Sequence, residues 1–246
     1  MKEVTLITGP LRSGTSCVTG LLECCGFDLG KNIRVLRTPT SSNPKGHFEL
    51  DLLYTINDRL LVESAHGPWS ILKIPDEPIL AELAAKREHY FRLFLSKFDG
   101  ELCKDPVMCL MLPFWEPYWS ELQRIVFCLR HPLAAAHSMK DRYWLPTAQG
   151  LRVWQIYTAR FFHHRTRCQV YIFDYDAFRQ APCDVFTALL RWLRRSLPTQ
   201  ELQKHLESFF QVNHVHWSFG ERELQTLPDD VRELYLEIRS RAGAIC

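Results

Sequence analysis

The chain has almost no excess of either charge: 30 Lys and Arg stand against 28 Asp and Glu, a formal net charge of +2. That balance removes the electrostatic basis for bulk nucleic-acid binding, and no nucleic-acid partner is expected. The basic groupings Arg160–Arg167 and Arg191–Arg195 are short and read as solvated faces of amphipathic helices. Long apolar runs are also missing. No segment approaches the roughly 20 apolar residues of a membrane span, and Met1-Lys2-Glu3 leads straight into an apolar run without room for a signal peptide. A cytoplasmic protein with no membrane span is the expectation. The nine cysteines form no C-x-x-C pair, which argues against a disulfide framework and for free thiols in a reducing compartment. His163-His164 and the pair His214 and His216 lack a third ligand at workable spacing, so no metal is expected. Internal repeats, low-complexity tracts and a second-domain boundary are absent as well. Residues 1–246 are expected to form one domain.

What is present starts at the N-terminus. Val4–Thr8 is a short apolar run rich in β-branched residues, the pattern of a buried strand. Gly9-Pro10-Leu11-Arg12-Ser13-Gly14-Thr15-Ser16 follows, and an apolar, helix-compatible stretch from Cys17 to Cys25 stops at Gly26. Strand, glycine-punctuated turn and helix together direct backbone N–H groups and a helix N-terminus at an anion. Gly9 and Gly14 have the spacing of the Walker A glycines, but Thr15-Ser16 stands where that motif has Lys followed by Ser or Thr. The cation has moved back into the loop as Arg12. Its planar guanidinium suits bidentate contact with a phosphate or sulfate group better than an ammonium does. Arg12, Ser13, Gly14, Thr15 and Ser16 are therefore the first candidate site residues. Cys17 lies in the first helical turn, where a helix N-terminus can lower a thiol pKa.

Strand-like runs recur at Val4–Thr8, Glu101–Cys103, Ile125–Leu129 and Val170–Phe173. Helical patterns lie between and after them, at Ser16–Cys25, Phe48–Glu63, Pro78–Phe98, Leu110–Leu122, Gly150–His164 and Val185–Arg195. The tail from Pro198 to near Arg241 is helical and amphipathic, and Lys31–Gly46 reads as a polar, mobile loop. Alternation of this kind predicts an α/β fold with a mainly parallel central sheet flanked by helices. Ligands of such sheets bind beyond the carboxyl ends of the strands, and the motifs below are expected just after these strand-like runs.

Four further constellations carry chemistry. Arg130-His131-Pro132 ends a strand, Ser138 follows on the returning helix, and Arg142 is one turn beyond Ser138 on the same face. Lys104-Asp105-Pro106 ends another strand, where Asp105 can orient Lys104 or cap the next helix. Asn43-Pro44-Lys45-Gly46-His47-Phe48-Glu49 brings two candidate bases into one loop-to-helix transition. Tyr175, after Val170–Phe173, can stack on a base or hydrogen-bond a ribose phosphate. Trp69 and Trp144 are the candidates for an acceptor pocket.

In their order along the chain these motifs resemble those of sulfotransferases that use 3′-phosphoadenosine 5′-phosphosulfate (PAPS), especially bacterial and tyrosylprotein sulfotransferases. The resemblance runs from position 6 to about 182. It implies a three-layer, P-loop NTPase-like α/β fold and transfer of a sulfuryl group to a hydroxyl or amine acceptor, releasing PAP, with no metal. The acceptor class stays open: a small molecule, a glycan or a lipid. By the same resemblance, Arg12, Ser13, Gly14, Thr15 and Ser16 hold the 5′-phosphosulfate, Arg130, Ser138 and Arg142 the 3′-phosphate, and Tyr175 the nucleoside. Lys104 with Arg12 stabilises the transferring group. For the base the resemblance favours Glu49, whereas intrinsic pKa favours His47. A divergent P-loop nucleotide kinase and a non-catalytic PAP- or nucleotide-binding module are the alternatives.

Overall fold

The computed structural model describes residues 2–40, 45–65, 73–210 and 217–243. In chain order the elements are β1 (Val4–Thr8), α1 (Thr15–Cys24), the two-residue strands β2 (Val35–Leu36) and β3 (Glu49–Leu50), and α2 (Asp51–Ser64). Then come α3 (Glu77–Lys86), α4 (Glu88–Lys97), β4 (Leu102–Lys104), α5 (Met108–Trp115), a 3-10 turn at Glu116–Tyr118 and β5 (Leu122–Leu129). The rest is α6 (Pro132–Tyr143), α7 (Thr147–His163), β6 (Gln169–Asp174), α8 (Tyr175–Gln180), α9 (Pro182–Trp192), α10 (Thr199–Phe209), α11 (Glu221–Leu224) and α12 (Asp229–Arg239).

The central sheet has the order β4-β1-β5-β6, and all its pairings are parallel. Both of its faces are covered, which is why β1 is buried at every position and its sequence shows no polar alternation. Successive residues feed opposite cores. Leu6, Ile125, Phe127 and Ile172 enter the core that also holds residues of α2 to α7 and α12. Ile7, Val126, Cys128 and Phe173 enter the other, with residues of α1, α9 and α10. The result is the expected three-layer α/β arrangement. From β1 the chain goes out to the β4 edge and returns past β1 to β5, so the strand order reverses between β1 and β5. The crevice at the carboxyl ends of these two strands is the binding position of such a sheet.

The structure corrects several element boundaries. The helix expected over Pro78–Phe98 is two helices, because Arg87 leaves helical geometry (φ −114°, ψ 22°) and ends α3 while starting α4. The break lets α4 set Phe91 and Phe94 edge-on against Trp115, and Phe94 edge-on against Trp119. The helix expected over Leu110–Leu122 ends at Trp115, and its last residue is already the start of β5. The stretch Lys31–Gly46 contains a strand, β2, which pairs antiparallel with β3. The helix expected from Phe48 starts only at Asp51, after Phe48 has taken a left-handed turn (φ 60°).

Gly150 in α7 lies against α6 so closely that an added Cβ would sit 2.9 Å from Ala136 Cα and 3.0 Å from Ala136 Cβ. Gly150→Ala is expected to destabilise the fold by about 1–3 kcal/mol through overpacking, less the ~1 kcal/mol gained in helix propensity. Thermal unfolding checks this, with a fall of a few degrees expected.

Candidate functional site

The loop between β1 and α1 is shaped by three residues in the left-handed region: Gly9 (φ 146°), Arg12 (φ 67°) and Gly14 (φ 93°). A Cβ at Gly9 would meet the Cys128 carbonyl oxygen at 2.4 Å, and one at Gly14 would meet the Tyr175 ring at 2.3 Å. Only glycine permits this closeness of loop, β5 and Tyr175. Gly14 is the N-cap of α1 and offers no side-chain acceptor, so the first-turn amides are left for a ligand.

Arg12 is not a glycine and holds a strained backbone. Two contacts keep it there: its Nε donates to Ser138 Oγ on α6 at 2.9 Å, and its carbonyl accepts from Arg130 Nη1 at 3.0 Å. Arg130, at the end of β5, is only 7 % exposed, and its Nη2 donates to the Trp217 carbonyl at 2.9 Å. Its guanidinium lies over the Tyr175 ring, 5.5 Å from the centroid. Burial lowers the pKa of Arg130, and it does the same to Arg12. Among the described residues, Arg130 Nε and Ser13 Oγ are buried polar atoms with no hydrogen-bond partner. Two desolvated guanidinium groups thus adjoin here, and beside them two buried donors, Arg130 Nε and Ser13 Oγ, lack a protein partner.

The expected cradle residues do not all face the same way. Thr15 is buried, and Ser16 Oγ donates to the His47 carbonyl at 3.2 Å, tying α1 to the segment that carries the candidate bases. Tyr175 forms the floor of the cradle rather than an open stacking face: its ring is under Gly14 and its hydroxyl interacts with Cys17. Burial pushes the Cys17 thiol up to about 12, the reverse of what a helix N-terminus does to an exposed thiol. Arg142, one turn beyond Ser138 on α6, is close enough for its charge to act on both Arg12 and His47.

Beyond Arg12 is an ion pair. Lys104, at the end of β4 and 2 % exposed, donates to Glu49 Oε1 of β3 at 2.5 Å. Half-buried His47, two residues before Glu49, is held below its ordinary pKa, chiefly by burial and then by Lys104, Arg142 and Arg12, with Glu49 opposing. Gly46 (φ 97°) and Phe48 (φ 60°) make the turn that delivers both residues to this edge. Asp105 does not bond Lys104. Its carboxylate accepts from Val107 N and Asn57 Nδ2, each at 2.8 Å, and burial raises its pKa to about 6.

Trp217 and Asp176 were not foreseen in the sequence. Trp217 donates its indole N–H to Asp141 at 2.6 Å and packs on His137, fastening the C-terminal segment across α6. Asp176 accepts from His131 N at 2.6 Å. Neither carried a local signal, since their partners lie 76 and 45 residues away. Asn43, Pro44, Trp69, His214 and His216 lie outside the described residues. Among the described residues there is no group of three or more His, Cys, Asp or Glu that could hold a metal, and no helix long and apolar enough to cross a membrane.

The sulfotransferase STF9 from Mycobacterium avium has a similar structure, with a TM-score of 0.53 at 12 % sequence identity over 99 % of this chain and 78 % of that one. The sulfotransferase domain of the Synechococcus PCC 7002 olefin synthase gives 0.47 at 16 % identity, over 98 % and 89 %. STF1 from Mycobacterium tuberculosis H37Rv gives 0.46 at 15 % identity, over 96 % and 77 %. No family model and no curated protein sequence matches the chain. The likeness to STF9 is one of fold: the chain has the fold of a sulfotransferase.

Gly14→Ala is expected to abolish the anion site, since the added Cβ would have both an unfavourable φ and the Tyr175 ring to contend with. The rise in melting temperature produced by added sulfate or phosphate should be present in wild type and absent in the variant.

Proposed function

We propose that this chain transfers a sulfuryl group from PAPS to a hydroxyl or amine acceptor and releases PAP. The observation that carries this reading is the pair of buried arginines, Arg12 after β1 and Arg130 after β5, joined through the Arg12 carbonyl. An ATP- or GTP-using loop has a lysine at this end of the sheet. Two anchored guanidinium groups suit a ligand with two separate anionic groups, and PAPS carries a 3′-phosphate that ATP and GTP lack.

The residues present fit the donor. Ser13 Oγ and Arg130 Nε are buried donors without protein partners, and Gly9 and Gly14 leave room for close approach of a ligand to the backbone. Arg12, Ser13, Gly14, Thr15 and Ser16 would hold the 5′-phosphosulfate, and Arg130 with Ser138 the 3′-phosphate. Arg142, one helical turn beyond Ser138, would reach the same 3′-phosphate. The donor brings an activated sulfuryl group on a leaving phosphate. Lys104 and Arg12 would neutralise the charge that builds on the bridging oxygen, a preorganised electrostatic role that is strongest in a desolvated site.

Geometry comes before pKa in assigning the base. Glu49 is in contact with Lys104, the cation at the reacting centre, and we assign it the acceptor proton. His47 flanks Glu49 and stays neutral at pH 7, because its pKa is depressed. The acceptor would enter along the edge where Tyr54, Tyr143 and Trp144 are exposed. Trp144 is 89 % exposed at the left-handed C-cap of α6, two residues beyond Arg142.

Calorimetric titration tests the donor. PAP should bind tightly without Mg²⁺ and ATP weakly, and Arg130→Ala should lose the preference for PAP. Equal binding of both, or ATP binding that depends on Mg²⁺, would move the reading to a P-loop kinase. Turnover tests the base. Glu49→Gln should lower kcat by about 10²–10⁴-fold with PAP affinity nearly unchanged. In wild type, activity should fall as pH drops through the His47 pKa, below 6.5, because imidazolium adds a positive charge beside Glu49. His47→Asn should lack that inflection.

A further inference from the structure

We infer that Asn57 is a positioning residue for the Lys104–Glu49 pair, acting through Asp105; this rests on the sulfuryl-transfer reading above. Glu49 opens β3, only Leu50 separates it from α2, and Asn57 lies farther along α2. Lys104 ends β4, and Asp105 is the next residue. The distance between ammonium and carboxylate therefore depends on how α2 is held against the end of β4. One side chain bridges the two. Asn57 Nδ2 donates to Asp105 Oδ2 at 2.8 Å, and Asn57 Oδ1 accepts from Trp115 Nε1 at 2.8 Å.

The amide can take only one orientation. An indole N–H is a donor and nothing else, so Oδ1 must face Trp115 and Nδ2 must face Asp105. Asp105 is in turn fixed to the sheet through its own backbone. Its N–H donates to the Ile7 carbonyl at 3.2 Å, and its carbonyl accepts from Thr8 Oγ1 at 3.0 Å. The chain of contacts thus runs from β1 through Asp105 and Asn57 to α2, and on to α5 at Trp115. None of its hydrogen bonds involves the Lys104 ammonium or the Glu49 carboxylate; Asp105 is joined to Lys104 through the backbone alone.

Burial shows that the amide does more than fill space. Asn57, Asp105 and Trp115 are 1 %, 1 % and 0 % exposed, and Asn57 sits among Leu53, Ile56, Leu60 and Leu61 of its own helix, which all face the core. An apolar residue would serve for packing alone. A buried polar network is costly unless fully satisfied, and its return is a single defined geometry. Here that geometry is the approach of β3 to β4 that sets Glu49 on Lys104.

The test is Asn57→Asp, which keeps the acceptor for Trp115 but replaces the donor facing Asp105 with a second carboxylate. At high pH the two carboxylates repel and the bridge is lost. At low pH they share a proton, and a carboxyl O–H can replace the amide donor. The groups acting around Asp105 are Glu49 on β3, Lys104 and Cys103 on β4, Tyr54 on α2, Cys109 on α5 and Tyr157 on α7. All are common to both proteins, so the quantity to read is the variant to wild-type ratio at each pH. We expect kcat of the variant to be about 10–100-fold lower at pH 8, the ratio to recover as pH falls toward 6, and PAP affinity to stay within about threefold. The ¹⁵N-bound proton signal of the Lys104 ammonium, protected while paired to Glu49, should weaken in the variant at pH 8 and return at lower pH. A parallel loss of kcat, PAP affinity and melting temperature with no recovery at low pH would overturn the inference, as would an unchanged ammonium signal. If wild type binds PAP but transfers nothing to any acceptor, the sulfuryl-transfer reading fails, and the ammonium signal still reports whether Asn57 holds Lys104.

Discussion

The parallel pairing of β1 with β5 is the constraint from which the site follows. It sets Thr8 opposite Phe127, so the loop after β1 and the strand end after β5 emerge side by side. From that register Arg130 reaches the Arg12 carbonyl, and the left-handed backbone of Arg12 can be held by a hydrogen bond instead of relaxing. The helix that follows Arg130 then runs back along the loop, and Ser138 meets the Arg12 guanidinium. Both flanking cores serve the same register, since alternate residues of β1 and β5 anchor opposite helical layers. Slipping either strand by one residue would exchange the two cores and separate the arginines.

Gathering Arg12, Arg130, Arg142 and Lys104 around one crevice is unfavourable by like-charge repulsion, and the surroundings show how it is tolerated. Lys104 has Glu49, and Arg130 has two carbonyl oxygens, the Tyr175 ring and the field of Asp176. Arg12 draws support from Tyr143, Tyr175 and Asp141. These partners hold the cations in place without fully neutralising the arginines. On the sulfuryl-transfer reading, the field in the crevice is set before an anion arrives, and little reorganisation is left for the moment of reaction. This is how the electrostatics connect the fold to the proposed chemistry.

Legibility in the sequence followed the distance along the chain over which each feature was built. The cradle was readable because strand, loop and helix are consecutive and the glycine spacing is local. That Ser138 and Arg142 share one helix was readable because an i, i+4 relation needs only one helix. Lys104 and Glu49 could be named singly, but not as a pair, since 55 residues separate them. Boundaries failed where packing overrode local pattern. Arg87 interrupts a good helical sequence so that α4 can reach Trp115 and Trp119, and Glu49 joins a two-residue strand because β2 is there to receive it.

By itself the sequence determined the order of the four central-sheet strands, the buried character of that sheet and the residue types gathered around the β1–α1 loop. These depend on apolar periodicity and on loop residues next to one another. Tertiary structure alone decided which oxygen Ser16 serves, that Tyr175 lies beneath the cradle, that burial and not a helix dipole governs Cys17, and that Asn57 faces Asp105. Each of those outcomes depends on desolvation and on hydrogen bonds between elements distant in sequence. The folded arrangement assigns such partners, because a buried polar group must find its partner among whatever the packing brings within about 3 Å.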